Sequence, residues 1–253
     1  MNTLFIDSGI GGITTLCEVI KHIPTLNFIY YADNKFAPYG DLNSTTITNR
    51  MVQIINSQLH HNIGLIVIAC NTATANSIDI LRNMYNIPII GTEPAIKPAS
   101  KIGNNIMVLA TPSTSLHSRF KALVKACPCN ISVIAHKTLA TNIDNAILYN
   151  DKLAINEVNN IIKSILEQSK NKTHIVLGCT HYIYLKDKLS SNSNWAVIDG
   201  NYGVYKQILR HIDSSFCNKK PTRLFVLSQK NSVLCKKYRK IFKQTLANVV
   251  NVW

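Results

Sequence analysis

The sequence predicts an α/β fold of two pseudo-symmetric lobes, each with a mainly parallel sheet, and an active site in the cleft between them. Short, β-branched apolar runs alternate with amphipathic helical segments along almost the whole chain, which is the pattern of strand–helix–strand units. One series of elements occurs twice: a strand, a turn of small residues, a helix and later a strand followed by a cysteine. Pro94 and Pro98 lie between the two occurrences and interrupt both helix and sheet.

Nine apolar runs are expected to form strands, because each is short, rich in β-branched residues and bounded by polar or turn residues. They cover residues 3–6, 28–31, 65–69, 87–90, 105–110, 131–135, 174–178, 196–198 and 223–228. Continuous apolar runs of this kind are typical of parallel strands buried on both faces. Apolar residues three and four positions apart predict helices over 13–20, 47–55 and 158–166, with Ser44 as N-cap of the second.

The repeat divides the chain into two predicted lobes. The first comprises residues 1–96 with 207–253 and carries Asp7 and Cys70. The second comprises residues 97–206 and carries Cys179 and His181. A C-terminal helix with a basic face is expected to pack on the first lobe through its other face, which carries Val233, Leu234, Tyr238, Ile241 and Phe242.

The composition is that of a soluble globular protein, with 46% hydrophobic and 16% charged residues among 253. No apolar run approaches the roughly 18 residues needed to cross a membrane, so no membrane association is expected. The net charge of +14 leaves a basic binding protein as a rival class. The lysines are scattered, however, and no zinc module or aromatic RNA-binding motif accompanies them. We therefore expect no nucleic-acid partner.

Seven cysteines, odd in number and irregularly spaced, argue against a disulfide framework and for reduced thiols in the cytoplasm. The first predicted strand begins within a few residues of Met1, so no secretory leader is expected. Cys127 and Cys129 form the only close pair of cysteines, and partner ligands do not accompany them. The sequence therefore predicts no metal site.

Cys70 and Cys179 are the strongest candidates for catalysis. Each follows an apolar run and precedes two residues with hydrogen-bonding side chains, Asn71-Thr72 and Thr180-His181. A single free cysteine in this position is more often a small buried hydrophobic residue, so the repeated context carries the argument. If a helix begins at each cysteine, its N-terminus lowers the pKa of the thiol. Two thiols facing one cleft suit a racemisation, in which a proton leaves one face of a carbon and returns on the other.

Three further segments supply polar groups near these thiols. Asp7-Ser8 leads into a glycine-rich turn with GxGG spacing, which does not match the dinucleotide-binding fingerprint. Asp7 could act as a helix cap, take a proton from Cys70 or hold a substrate ammonium group. The turn at 38–40 could offer backbone N–H groups to a carboxylate and an aromatic wall. His181, two residues after Cys179, is the better acid–base partner of that thiol.

The sequence resembles the glutamate racemases, within the cofactor-independent aspartate/glutamate racemase superfamily. The matching strings are ordered and span nearly the whole chain. They are Phe5-Ile6-Asp7-Ser8-Gly9-Ile10-Gly11-Gly12, Tyr31-Ala32-Asp33, Pro38-Tyr39-Gly40, Ala69-Cys70-Asn71-Thr72-Ala73-Thr74-Ala75, Pro94-Ala95-Ile96-Lys97-Pro98-Ala99 and Leu177-Gly178-Cys179-Thr180-His181-Tyr182.

The resemblance implies a cytoplasmic, homodimeric isomerase that needs no metal or cofactor and supplies D-glutamate for peptidoglycan. It implies that Cys70 takes the α-proton from D-glutamate with help from Asp7, and that Cys179 takes it from L-glutamate with help from His181. It further implies a set of substrate-binding residues: Asp7, Ser8, Pro38, Tyr39, Gly40, Asn71, Thr72, Thr114, Thr180 and His181.

One departure affects the histidine side. The family commonly has a glutamate after the strand that begins near Ile131, whereas this chain has Val133-Ile134-Ala135-His136 there. Either His136 substitutes for the glutamate, or His181 acts without that support. Two alternatives to glutamate racemisation stay open at this stage. One is a racemase of the same fold for aspartate or another acidic amino acid, and the other is a non-enzymatic basic binding protein.

Overall fold

The computed structural model describes residues 1–168, 174–191, 196–229 and 231–247. The predicted lobes include segments outside these residues, namely 169–173, 192–195, 230 and 248–253. All nine predicted strands are present, each within two residues of its expected bounds. They are β1 (Asn2–Asp7), β2 (Phe28–Ala32), β3 (Ile63–Ile68), β4 (Ile89–Gly91), β5 (Asn105–Ala110), β6 (Asn130–Ala135), β7 (His174–Leu177), β8 (Ala196–Ile198) and β9 (Arg223–Leu227).

The helices lie between these strands. They are α1 (Gly12–His22), α2 (Ser44–Gln58), α3 (Asn71–Met84), α4 (Ile96–Ala99), α5 (Pro112–Leu116), α6 (Ser118–Lys125), α7 (Leu139–Tyr149), α8 (Lys152–Gln168), α9 (Lys186–Ser190), α10 (Asn201–Ile208) and α11 (Ser232–Leu246). Short 3-10 helices cover Tyr39–Asp41, Leu59–His61, His181–Leu185 and Ser214–Phe216. Within the described part of the chain, no helix has the length and apolar character needed to cross a membrane.

The strands form two separate sheets. One has the order β4-β3-β1-β2-β9 and the other the order β6-β5-β7-β8. Every neighbouring pair of strands within the two sheets is parallel. The prediction of an α/β protein with two lobes and mainly parallel sheets is confirmed.

Helices cover both faces of the first sheet, which explains why its strands are apolar throughout. Successive side chains of a strand point to opposite faces, so Phe5 of β1 lies in a core with α1, α10 and α11, while Leu4 and Ile6 lie in a core with α2 and α3. Helix α10 also packs on the first lobe, through Val204 and Ile208. Val204 lies before residue 207, where the sequence predicts that the chain returns to this lobe. The predicted lobe boundaries themselves stay a prediction.

Two local expectations are wrong. The N-cap of α2 is Asn43, whose side chain accepts the N–H of Thr46 at 2.8 Å, because Ser44 already lies in the first turn. Val233 does not share the apolar face of α11, since it lies at the start of the helix and is 63% exposed. The remaining predicted apolar residues of α11, from Leu234 to Phe242, are buried in the first lobe.

Candidate active site

Four strands of the two sheets end at one place in the cleft. Asp7 ends β1, while Cys70 and Cys179 lie two residues beyond β3 and β7. Thr111 follows β5 directly. Since the carboxyl ends of parallel strands share one edge of a sheet, the chain brings these residues together between the lobes. The hydroxyl of Thr180 donates to Oδ2 of Asp7 at 3.1 Å, which links the two lobes directly.

Cys70 is the N-cap of α3, so a helix does begin at this cysteine, and the residue is 6% exposed. Its sulfur accepts the N–H of Ala73 at 3.5 Å and lies 4.0 Å from the hydroxyl of Ser8. The helix N-terminus does lower the pKa of this thiol, as expected, but its contribution is outweighed. Burial, and then the carboxylate of Asp7, raise the pKa of Cys70 to about 12, although the Ala73 N–H acts in the opposite direction.

Asp7 is fully buried, and hydrogen bonds fix the position of its carboxylate. The N–H of Gly9 donates to Oδ1 at 2.8 Å, and Thr180 donates to Oδ2. Burial raises the pKa of Asp7, while His181 and the backbone N–H groups of Gly9 and Gly12 oppose that rise. A carboxyl group with a raised pKa can accept and return a proton more readily than an ordinary aspartate.

Cys179 faces a histidine rather than a helix N-terminus, because the 3-10 helix His181–Leu185 follows it. Its sulfur lies 3.9 Å from Nδ1 of His181, and both side chains are buried. On its other side, Nε2 of His181 lies 3.1 Å from Oδ1 of Asp144. The two atoms form an ion pair without the alignment of a hydrogen bond.

His181 is held in its charged form by these neighbours. Burial by itself lowers the pKa of His181, but Asp144 and then Cys179 outweigh it, so that the pKa rises well above its usual range. A buried imidazolium beside a sulfur stabilises negative charge on that sulfur. The second thiol therefore has a cation as its partner, whereas the first has a carboxyl group.

Asp144 answers the question that the sequence left open on the histidine side. It lies in α7, after β6, and supplies the acid that the segment 133–136 lacks. The sequence-based alternatives did not include this carboxylate. The Nδ1 atom of His136 has no hydrogen-bond partner among the described residues, and its carbonyl accepts the hydroxyl of Tyr182 at 3.2 Å. The missed signal was the single aspartate in the helix after that strand.

Two glycines allow the lobes to approach each other at this point. A Cβ atom on Gly9 would lie 2.9 Å from Oδ2 of Asp144 and 3.0 Å from Nε2 of His181. A Cβ atom on Gly11 would lie 2.6 Å from Nδ1 of His181. The glycine-rich turn of the first lobe therefore allows close packing against Asp144 and His181 of the second lobe.

Three threonine hydroxyls form a buried cluster beside Cys70. The hydroxyl of Thr72 lies 3.1 Å from that of Thr111 and 3.0 Å from that of Thr114, and Thr111 donates to Thr114 at 2.9 Å. Thr72 and Thr114 were predicted, but Thr111 was missed. The signal was present, since Thr111 follows a strand directly, as the other candidates do. The cluster joins α3 of the first lobe to α5 of the second.

The turn at Pro38, Tyr39 and Gly40 lies against the same cluster. A Cβ atom on Gly40 would lie 3.5 Å from Cβ of Thr111. The ring of Tyr39 does not form the expected aromatic wall, because it packs in the first-lobe core and its hydroxyl donates to Asp33 at 2.6 Å. What this turn can offer a ligand is its backbone.

The remaining predicted residues are also buried at this place. Ser8, Asn71 and Thr180 are each 5% exposed or less, and they directly adjoin Asp7, Cys70 and Cys179 in the chain. The site thus collects two thiols, two carboxyl groups, one imidazole and several hydroxyls in a space with little access to water. Among the described residues, no cluster of three or more histidine, cysteine or acidic side chains is arranged to hold a metal.

Comparison with known sequences identifies a protein family and relatives within it. The chain matches the Asp/Glu/Hydantoin racemase family over residues 25–202. It is 37% identical over 214 residues to the glutamate racemase of Clostridium acetobutylicum, covering 82% of each chain. It is 35% identical over 218 residues to that of Clostridium botulinum, covering 83% of each.

Solved structures agree with these relatives. The crystal structure of Escherichia coli glutamate racemase, in complex with L-glutamate and the activator UDP-MurNAc-Ala, superposes with a TM-score of 0.84 at 25% identity. The superposition covers 96% of this chain and 94% of that one. The Campylobacter jejuni glutamate racemase shares the fold with a TM-score of 0.77. On sequence and fold together, the chain belongs to the Asp/Glu/hydantoin racemase family.

Proposed function

We propose that this chain interconverts L-glutamate and D-glutamate by moving the α-proton between two thiols, and that the D-glutamate serves peptidoglycan synthesis. The observation that carries the proposal is the pairing of Cys70 and Cys179 at equivalent strand ends of opposite lobes, with partners of opposite charge. A binding protein has no need of two such thiols. The curated relatives named glutamate racemase support glutamate as the substrate.

The L-to-D direction begins with an ionised Cys179 beside the imidazolium of His181. The sulfur takes the α-proton of L-glutamate, and the electron pair of the broken C–H bond stays on the substrate as a carbanion. The Cys70 thiol, which is protonated because of its raised pKa, donates its proton to the opposite face. The product is D-glutamate, with Cys70 ionised and Cys179 protonated, and the reverse direction exchanges the two roles.

The carbanion is the difficult species, since an α-proton is a very weak acid. Donors that are fixed before the reaction stabilise such charge best in a site that excludes water. The N–H groups at the start of α3, the threonine hydroxyls and the backbone of the 38–40 turn can hold the carboxylates of the substrate. Asp7 and His181 complete the cycle, because each can exchange a proton with the neighbouring thiol. The two thiols must titrate as one coupled unit.

The experiment is proton NMR of L-glutamate with the reduced protein in deuterated water, with L-aspartate in a parallel sample. We expect the α-proton signal of glutamate to disappear while D-glutamate, measured by chiral chromatography of the same sample, accumulates, and aspartate to stay unchanged. The aspartate alternative is the less favoured one, because the relatives above are glutamate racemases. Exchange of aspartate alone would overturn the substrate and keep the mechanism. No exchange of either amino acid would overturn the racemase proposal and leave the basic binding protein.

We also propose a cytoplasmic homodimer, with glutamate as the partner and no nucleic acid bound. The free cysteines support a reducing compartment, and the resemblance to glutamate racemases supports the dimer. Sedimentation equilibrium with and without glutamate measures the mass of the assembly. A protein of monomer mass at micromolar concentration, with or without substrate, would contradict the dimer.

A further inference from the structure

The segment 33–40 forms the link between β2 and the 3-10 helix Tyr39–Asp41, and it ends in the turn assigned above to substrate binding. Its first residue, Asp33, is completely buried, and its backbone N–H donates to the carbonyl of Asp7 at 2.9 Å. Its last residue, Gly40, lies against the threonine cluster of the cleft. The segment therefore begins beside one catalytic candidate and ends at the substrate-binding surface.

The carboxylate of Asp33 accepts three bonds. Nε of Arg50 donates to Oδ2 and Nη2 of Arg50 donates to Oδ1, both at 2.8 Å. The hydroxyl of Tyr39 donates to Oδ2 at 2.6 Å. A buried carboxylate is costly unless it is fully paired, and a bidentate guanidinium fixes its orientation as well as its charge. Asp33 thus links the two side chains, so that the position of Arg50 determines the position of Tyr39.

Arg50 extends from α2 and contacts the segment at a further point. Its guanidinium carbon lies 4.1 Å from the ring centroid of Phe36, in the middle of the segment. Its side chain is only 16% exposed, and the hydrogen bond and charge of Asp33 raise its pKa. A single guanidinium thereby contacts the start and middle of the segment directly and its end through Tyr39.

The opposite side of the segment is held by different contacts. The side-chain oxygen of Asn34 accepts the N–H of Gln229, and Ser228 accepts the N–H of Lys35 at 3.0 Å. These bonds lie beyond the end of β9 and are exposed or partly buried. They fix the first residues of the segment but do not reach Tyr39. The contact that reaches the turn itself runs through Asp33 and Arg50.

We propose that Arg50 is a positioning residue for substrate binding: through Asp33 and Phe36 it holds the 38–40 turn so that its backbone meets a carboxylate of the substrate. The inference rests on the proposed function, since it needs the turn to contact glutamate. The substrate carboxylate stays bound while the α-proton moves, so the contact strengthens the bound substrate and the transition state alike. Its loss therefore raises KM more than it lowers kcat.

The test compares Arg50→Ala with Arg82→Ala. Arg82 is the matched control, because its Nε and Nη2 donate to the carbonyl of Ile89 at 3.1 and 3.0 Å in the same lobe, away from the 33–40 segment. We expect Arg50→Ala to raise KM for glutamate about tenfold or more, with kcat within about threefold. Millimolar guanidinium should restore KM by filling the space between Asp33 and Phe36. Arg82→Ala should leave KM unchanged and show no rescue.

Two further variants keep the test decisive if Arg50→Ala does not fold. Arg50→Lys keeps the positive charge but loses the paired bonds, so KM should rise although the charge is preserved. Tyr39→Phe removes only the hydroxyl that Asp33 accepts, and we expect KM to rise about threefold with kcat unchanged. KM within twofold of wild type in all folded variants, or equal guanidinium effects on the Arg50 and Arg82 variants, would overturn the inference.

The wild-type protein in the same assay separates this inference from the function on which it rests. If wild type converts no glutamate, the proposed function fails and takes the positioning role with it. If wild type converts glutamate while the Arg50 variants keep its KM, the positioning role alone fails.

Discussion

Cys70 and Cys179 occupy equivalent positions, each two residues beyond a strand of its own sheet, but the charged groups around them differ. Cys70 caps a long helix and lies near a buried aspartate, and its pKa rises to about 12. Cys179 precedes a short 3-10 helix and lies 3.9 Å from a histidine that is held in its charged form by Asp144. The repeat of the fold therefore provides symmetric positions, and the residues around them break the symmetry.

This asymmetry favours a protonated Cys70 before the reaction begins. A two-thiol racemase needs one sulfur ionised and the other protonated at the start of each turnover. Burial and the carboxyl group beside Cys70 favour its neutral thiol, whereas Cys179 has a cation beside it. Under the proposed mechanism, the neutral Cys70 thiol is the acid that completes the conversion of L-glutamate, and it must lose its proton before it can act on D-glutamate.

The largest expected effect follows from removing either thiol. Cys70→Ala and Cys179→Ala should each lower racemisation by about a thousandfold or more, because a general acid–base group contributes roughly 10²–10⁴-fold. Each single-thiol variant can still remove and return a proton on one face. In deuterated water, Cys70→Ala should therefore exchange the α-proton of L-glutamate without inversion, and Cys179→Ala that of D-glutamate.

Cys17 provides the control for these variants. It is a buried cysteine of the first lobe whose thiol donates to the carbonyl of Phe242 rather than facing the cleft. Cys17→Ala should keep both the racemisation rate and exchange of both enantiomers. Exchange of both enantiomers by a variant without Cys70 would contradict the assignment of one thiol to each face.

The second-largest expected effect concerns the ion pair between Asp144 and His181. Asp144→Asn should lower kcat/KM about ten- to a hundredfold, since His181 loses the charge that keeps it protonated. The imidazolium exists below the pKa of His181, and removing Asp144 lowers that pKa. The alkaline fall of the pH profile should therefore begin at lower pH in the variant than in wild type. His136→Asn is the control and should leave the profile unchanged.

The same variant can assign Asp144 to one of the two thiols. The enantiomers have equal free energies, so kcat/KM must fall equally in both directions and cannot reveal the affected face. A primary deuterium isotope effect can, because it grows when the step through Cys179 limits the rate. Substrate deuterated at the α-carbon should show a larger effect from L-glutamate than from D-glutamate in Asp144→Asn. Equal isotope effects would separate Asp144 from Cys179.

The fold could be predicted because its signal is local and repeated. Each strand of the first sheet is buried on both faces, so its residues are apolar without alternation and stand out in the sequence. Errors occurred at helix ends, where Asn43 and Ser44 are both good caps and one hydrogen bond to Thr46 decides between them. The exposure of Val233 likewise depends on where α11 begins.

The site could be predicted as far as residues follow strand ends. That rule found Asp7, Cys70 and Cys179, and applied once more it would have found Thr111. It could not find Asp144, which lies in the middle of α7 and reaches His181 only because α7 packs against the 3-10 helix His181–Leu185 within the second lobe. Nor could it find the raised pKa of Cys70, since burial outweighs the helix N-terminus only in the assembled cleft.

A smaller effect should appear in the chemical reactivity of the two thiols. With a pKa of about 12, only about one Cys70 in ten thousand is ionised at pH 8. Iodoacetamide reacts with the thiolate, so mass spectrometry of the unliganded protein should find Cys179 alkylated before Cys70, by at least about tenfold in rate. D-Glutamate should protect both thiols. Earlier labelling of Cys70 would contradict the raised pKa of its thiol.

The smallest expected effect concerns a group of ion pairs that joins the two lobes at the protein surface. Arg119 of α6, in the second lobe, pairs with Asp79 of α3 at 3.1 Å and with Glu93 at 2.5 Å, both in the first lobe. All three side chains are substantially exposed, so the pairs contribute only about 0–1 kcal/mol. Arg119→Ala should favour the open cleft and raise KM about two- to fourfold, in line with that energy.

Salt distinguishes this effect from general destabilisation. At about 0.5 M salt, exposed charges are screened within a few ångströms, so wild type should approach the KM of Arg119→Ala. Lys186→Ala is the matched control, because Lys186 pairs with Asp199 at 2.7 Å within the segment 97–206 and does not bridge the cleft. A salt-independent difference in KM, or an equal rise in the Lys186 variant, would show that closure of the cleft does not depend on the Arg119 contact.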